Sequence, residues 1–154
     1  MSPSFRFRPR YKSLAAGAIG IGAILVGAAL FTSSGTRLLA VGGGSMGIAL
    51  GLMYLLSPAW RLVVHVDDDA LEVTSRGDRR FRLLWADVAE VVASPSTKTC
   101  FVNGGTPDRS LLVPGSGAPA PYAIEGRAEL YDAITAHVAK ERIREVVLLE
   151  SPAA

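Results

Sequence analysis

Residues 13–60 read SLAAGAIGIGAILVGAALFTSSGTRLLAVGGGSMGIALGLMYLLSPAW, and Arg37 is their one charged side chain. It divides the stretch into Ser13–Thr36, 24 uncharged residues, and Leu38–Trp60, 23 more. As helices, runs of this length reach roughly 35 Å, enough for a hydrocarbon layer of roughly 30 Å. A core helix in a small soluble domain has no need of that reach. The larger apolar residues each contribute only about −0.3 to −0.6 kcal/mol to insertion, and glycine and alanine supply most of the remainder. Two moderately apolar runs in tandem therefore predict a transmembrane hairpin, with helices at about 13–32 and 38–57 and a tight turn over Ser33–Arg37.

The flanks set an expected orientation. Residues 1–66 carry six Lys or Arg and no Asp or Glu, a charge of +6, whereas residues 67–154 carry ten against fourteen, or −4. The chain's net +2 thus hides a basic apolar half and a mildly acidic one. Arg6, Arg8, Arg10 and Lys12 precede the first run, and Arg61, Arg76, Arg79 and Arg80 follow the second. By the positive-inside rule both termini lie in the cytoplasm, in a multi-pass protein of the plasma (inner) membrane. Tyr11, Tyr54 and Trp60 sit near the run ends, where amphipathic rings favour the headgroup level. A cleaved signal peptide fits poorly, because the apolar stretch exceeds the usual 7–15 residues or so and the Thr32/Ser34 site is weak. The expected organisation is a basic cytoplasmic N-terminus over 1–12, a transmembrane hairpin over 13–60 and a cytoplasmic domain over 61–154.

Within the second run Gly43, Gly47 and Gly51 recur every fourth residue, which places them on one helix face. The first run offers Ala16/Gly20 and Ala23/Gly27 at the same spacing. Small residues let helix backbones approach closely in lipid. Two readings stand: packing of one span on the other inside the hairpin, or a face for dimerisation or a partner helix. No charge interrupts either span, which argues against an ion or proton pathway.

From Arg61 onward the periodicity changes. Leu62–Val66 is apolar and β-branched, Asp67-Asp68-Asp69 is a turn signal, Ala70–Thr74 alternates, and Phe81–Trp85 follows the Arg76-Gly77-Asp78-Arg79 turn. Further strands are expected at Val88–Ala93, Thr99–Val102, Ser110–Val113 and Tyr122–Ile124. The Pro/Gly loop at 114–121 cannot continue a helix or a central strand. Leu130, Tyr131, Ile134 and Val138 then recur at helical spacing, which predicts one helix over about 126–142. Residues 143–149 fit either a strand or a continuation of that helix. A strand meander closed by one helix is α+β: six or seven antiparallel strands in a curved sheet or small barrel.

Two stretches resemble a known family. Residues 66–73, Val-Asp-Asp-Asp-Ala-Leu-Glu-Val, and residues 79–91, which carry Leu84-Trp85-Ala86-Asp87-Val88, are similar to the first hairpin and to a later strand junction of membrane-anchored bacterial PH-like (pleckstrin-homology-like) domain proteins. The resemblance implies a PH-like scaffold for protein or membrane-surface contact.

The candidates for chemistry are few. Arg76, Arg79, Arg80 and Arg82 form a basic cluster able to meet an anionic membrane surface, at about 1 kcal/mol per basic residue. The first-hairpin turn holds three aspartates where inositol-lipid binders of the PH class carry lysines, which argues against a specific lipid ligand. Those aspartates lack calcium-loop spacing. His65 and His137 stand without neighbouring ligands at metal spacing, Cys100 stands alone without a nucleophile motif, and Gly104-Gly105 lacks a phosphate-loop lysine. The expectation is a non-enzymatic integral membrane protein with no catalytic, cofactor or metal site and no nucleic-acid partner. Its second half would serve as an interaction or assembly module for a protein partner or a homo-oligomer. The alternative is a lipid-responsive or stress-signalling membrane subunit that oligomerises through the glycine-rich second span.

Overall fold

A computed structural model describes residues 3–147. In chain order its elements are β1 (Ser4–Pro9), α1 (Lys12–Ala28), α2 (Ser34–Leu55), β2 (Leu62–Val66), β3 (Ala70–Ser75), β4 (Asp78–Leu84), β5 (Glu90–Ser94), β6 (Thr99–Asn103), β7 (Leu111–Val113), β8 (Tyr122–Ile124), α3 (Arg127–His137) and β9 (Ile143–Glu145). The chain forms two compact units. One is residues 9–57; the other joins residues 1–8 to residues 58–154.

The helical unit is a hairpin whose two helices are long and apolar enough to cross a membrane. Leu14, Ile24, Leu39 and Met53 on its faces are exposed. The link between the helices is shorter than the sequence predicts. A 3-10 turn over Ala29–Phe31 extends α1, and α2 begins at Ser34 rather than near residue 38. Arg37 accounts for the difference. From the first turn of α2 its guanidinium donates to Ala29 O at 3.0 Å and Thr32 O at 3.3 Å, binding carbonyls at the end of the first helix, where Ala29 O also accepts from the Thr32 hydroxyl. At the other end of the hairpin the Tyr11 amide donates to the Tyr54 hydroxyl at 2.9 Å.

The second unit holds every strand among the described residues. Seven lie where the sequence places them, with ends shifted by a few residues, but the described residues hold nine. The other two are β1, ahead of the helices, which the sequence reading does not place, and β9, after α3, within the stretch that fits either a strand or a continued helix. They form two open sheets, ordered β4-β3-β2-β1-β8 and β7-β6-β5-β9, so the small barrel and the single curved sheet are both corrected. Nor is the pairing antiparallel throughout: β9 runs parallel to β5, with Val91 opposite Ile143. The change of sheet falls at the 3-10 turn Trp85–Asp87, where the Trp85 indole donates to Asp67 O at 2.9 Å and its amide to Asp69 O at 3.1 Å. These bonds make the aspartate turn between β2 and β3 a fixed structural corner.

β1 follows from its residues. Ser4-Phe5-Arg6-Phe7-Arg8 alternates with period two, so Phe5 and Phe7 enter the core at 5% and 6% exposure while Arg6 and Arg8 face solvent. Each buried phenylalanine contributes about 1.5–3 kcal/mol. β1 lies antiparallel beside β2, with Phe5 opposite Val64 and Arg6 opposite Val63. The helical hairpin is therefore an insertion in the connection between two paired neighbouring strands.

The core lies between the sheets and α3, around Val64, Leu71, Leu83, Val91, Val102 and Val113. Leu130, Tyr131, Ile134 and Val138 are the side chains that the helix region buries, as their spacing predicts. The helix itself is shorter than expected and ends at His137, because Val138 turns extended. Arg142 then donates to Ala86 O at 2.6 Å and Val88 O at 2.8 Å, drawing residues 140–142 off the helix axis and into β9. Of the ambiguous stretch 143–149, residues 143–145 are strand, and 148–149 lie outside the described residues.

Candidate functional site

The register of the first sheet sorts its charges by end. Leu62 pairs with Ser75, which pairs with Asp78, so the β3–β4 turn lies at the end where β2 begins and β1 finishes. The chain leaves β1 after Pro9 and enters β2 at Leu62 at that same end. Val66 pairs with Leu71 at the opposite end, which carries Asp67, Asp68 and Asp69.

The four arginines singled out from the sequence occupy distinct places. Arg76 and Gly77 are the central pair of the β3–β4 turn, both with positive φ, 55° and 90°, the conformation of a type I′ hairpin. Arg79 pairs across the sheet with Thr74 and reaches Glu72, Nε to Oε2 at 3.2 Å. Arg80 is the extra residue of a β-bulge beside Val73 and Thr74, and it is exposed. Arg82 sits further along, opposite Glu72, and Arg109 donates to its backbone oxygen at 3.4 Å. Sequence reasoning missed Arg6 and Arg8 as members of this sheet, having taken them only as topology-setting charges. Arg8 pairs with Glu125 at 2.8 Å, between exposed side chains. Arg61 is exposed just before β2.

The glycines divide differently. Gly47 and Gly51 face α1: a Cβ on Gly47 would stand 3.2 Å from Ala18 O, and one on Gly51 2.6 Å from Ile19 Cγ1 and 2.8 Å from Ala15 O. A Cβ on Gly43 would meet nothing within 4 Å. Gly44 takes the third place, opposite Gly22, where a Cβ would come within 2.6 Å of Gly22 O. On α1 the contacting small residues are Ala15, Ala18 and Gly22, rather than the Ala16/Gly20 and Ala23/Gly27 pairs.

The remaining candidates hold structure together. His137 stacks on Trp85, ring centroids 5.1 Å apart, with Nδ1 at 2.7 Å from Ala133 O. His65 Nε2 lies 3.3 Å from Thr74 Oγ1 on the solvent face of the first sheet. Gly104 is pressed against Arg109 backbone in a loop that the Ser110 hydroxyl closes by donating to Thr106 O at 2.7 Å. Cys100 is fully buried, and burial pushes its thiol up to about 12. An open groove of about 450 Å³ is lined by Phe101 and Leu112 of the second sheet and Tyr122 of the first, with Thr106, Pro107 and Ser110. Among the described residues its one titratable side chain is Tyr122, which donates to Leu112 O at 2.9 Å and is also pushed up to about 12 by burial.

These two groups yield a pH expectation. Each is an acid whose folded value lies above its ordinary one, 9.0 for the thiol and 10.0 for the phenol. Above those values the unfolded chain releases protons that the folded chain retains, so stability is full below about pH 9 and falls as the pH climbs toward 12. Thermal melts of the detergent-solubilised chain across that range are expected to show the decline. Iodoacetamide at neutral pH is expected to modify Cys100 only after denaturation.

Comparisons with protein-family models, with curated proteins and with solved structures find no match to this chain.

Proposed function

We propose that this is a non-enzymatic membrane protein whose helical hairpin anchors a PH-like interaction or assembly module at the cytoplasmic surface of the plasma membrane. The observation that carries the reading is the pairing of β1 with β2 around the inserted hairpin. Strand ends that lie side by side send both helices off from one end of one folded unit, so the chain enters and leaves the bilayer on the same face. Positive charge on both flanks then selects the cytoplasmic face. The exposed leucine, isoleucine and methionine side chains of α1 and α2 support a lipid environment, since water penalises an apolar surface of that extent. The PH-like assignment and the interaction role both rest on the two sequence stretches that resemble that family. Self-association through the glycine face of α2 is the weaker reading, because Gly47 and Gly51 are already engaged by α1.

Topology is tested with protease added to sealed vesicles. Residues 61–154 are expected to survive in right-side-out vesicles and to be digested in inside-out ones; the reverse pattern overturns the proposal. Crosslinking with mass spectrometry on the tagged chain in native membranes is expected to recover a protein partner or a second copy.

A further inference from the structure

We propose that the hairpin-bearing end of the first sheet is a contact surface for anionic phospholipid headgroups, formed by Arg8, Arg61, Arg76, Arg79 and Arg80; this rests on the membrane anchoring argued above. Strand register gathers these five arginines at one end, although they come from three separate parts of the sequence. Glu72, Asp78 and Glu125 offset only part of the charge: Arg8 is in an exposed ion pair and Arg79 pairs with the half-buried Glu72, while Arg61, Arg76 and Arg80 make no ion pair among the described residues. The opposite end carries the three aspartates of the β2–β3 turn. The sheet is thus charged along its length, basic where the hairpin joins it and acidic where it does not.

The connections select lipid over other anionic partners. β1 and α1 are separated by Arg10 and Tyr11 alone, and α2 and β2 by residues 56–61. At about 3.3–3.6 Å per residue, the shorter link holds this end within about one Debye length of the headgroups, where a soluble acidic partner must compete with the tethered bilayer. Arg76 adds an independent sign. Its turn prefers Asn-Gly, yet an arginine occupies the left-handed position.

The test uses the full chain in nanodiscs of phosphatidylcholine alone or with about a third phosphatidylglycerol. A fluorophore on Ser75→Cys reports the basic end, one on Asp68→Cys the acidic end, and a headgroup-labelled lipid quenches whichever lies close. Quenching at the Ser75 position is expected to rise in the anionic discs and to reverse toward 1 M salt, roughly where the Debye length falls to about 3 Å. Arg76→Asn combined with Arg80→Gln is expected to lower the ratio of docked to undocked chain about 25-fold, about fivefold per arginine. Asn suits the turn, and an unreactive Cys100 verifies that this variant is folded. Equal quenching in both lipids, or no change in the variant, overturns the proposal. Binding of polyglutamate in neutral discs, with no effect of lipid composition, also overturns it and identifies an acidic protein segment as the occupant. A label on Leu50→Cys tests the anchoring itself: loss of quenching there by acyl-chain-labelled lipid removes both readings, whereas its presence without a headgroup effect removes this one alone.

Discussion

Replacing Phe5 and Phe7 together by alanine is expected to unfold the strand-rich unit, although both residues precede the helical hairpin and lie more than fifty positions from the rest of that unit. Each ring is buried, in contact with a core that spans both sheets and α3. Phe7 stacks on Tyr122 at 4.9 Å, and Phe5 fits against Gly126, where a Cβ would meet its ring at 3.2 Å. A Phe→Ala change at such a site costs about 3–5 kcal/mol, and a domain of this kind is stable by about 5–15 kcal/mol in all. Hydrogen exchange of β2, β5 and β6 in the detergent-solubilised chain is the measurement. Protection is expected to collapse in the double variant and to stay within about 0.5 kcal/mol of the parent for Arg6→Gln, on the solvent face of the same strand. Unchanged protection in the double variant means that β1 does not belong to the unit. A chain lacking residues 1–9 is expected to aggregate, because β2 and β8 lose the strand between them and expose edges and apolar surface.

The second large effect is expected inside the hairpin. Gly44→Leu should force α1 and α2 apart, while Gly43→Leu, one residue earlier, should leave them in place. At position 44 the added carbon collides with a backbone oxygen, Gly22 O, that cannot rotate away, and Gly22→Leu meets Gly44 O in the same manner at 2.5 Å. Over-packing of this sort costs about 1–3 kcal/mol even where side chains can yield. Spin labels on Leu14→Cys and Met53→Cys, both exposed, read the separation. A broadened, longer distance is expected for the variants at 22 and 44 and the parent distance for the variant at 43. Equal effects at 43 and 44 contradict the seam described.

Much of this architecture is legible in the sequence, and what is not has physical causes. Two uncharged runs around Arg37 fix the existence of the helices, yet Arg37 itself reads as a turn residue because its charge masks its role as a cap for Ala29 and Thr32 from within α2. The run Gly42-Gly43-Gly44 allows two helical registers toward Gly47 and Gly51, one stepping by four and one by three, and spacing alone cannot choose between them. The contact with Gly22 does. Strand β1 carries its own signal, the alternation Phe5-Arg6-Phe7-Arg8, but next to an apolar helix those arginines read first as flanking charge. Its partner Val63 lies beyond the whole hairpin, a pairing that local periodicity cannot show. The same holds for β9, whose partner β5 lies about fifty residues back. Of the basic cluster, the turn Arg76-Gly77 and its neighbours are visible in sequence, whereas their grouping with Arg8 and Arg61 exists only through register.

Closure of one folded unit by β1 across the inserted hairpin is tested most directly by a disulfide between Arg6→Cys and Val63→Cys in the full chain in native membranes. These residues are directly opposed in antiparallel strands, where Cα atoms stand about 4.5–5.5 Å apart, within the span a disulfide accepts. Mild oxidation is expected to link them nearly completely, visible as a mobility shift that reductant reverses, while Arg6→Cys with Thr74→Cys, a strand further away, stays unlinked. Failure of the first pair to link, or equal linking of both pairs, contradicts the closure.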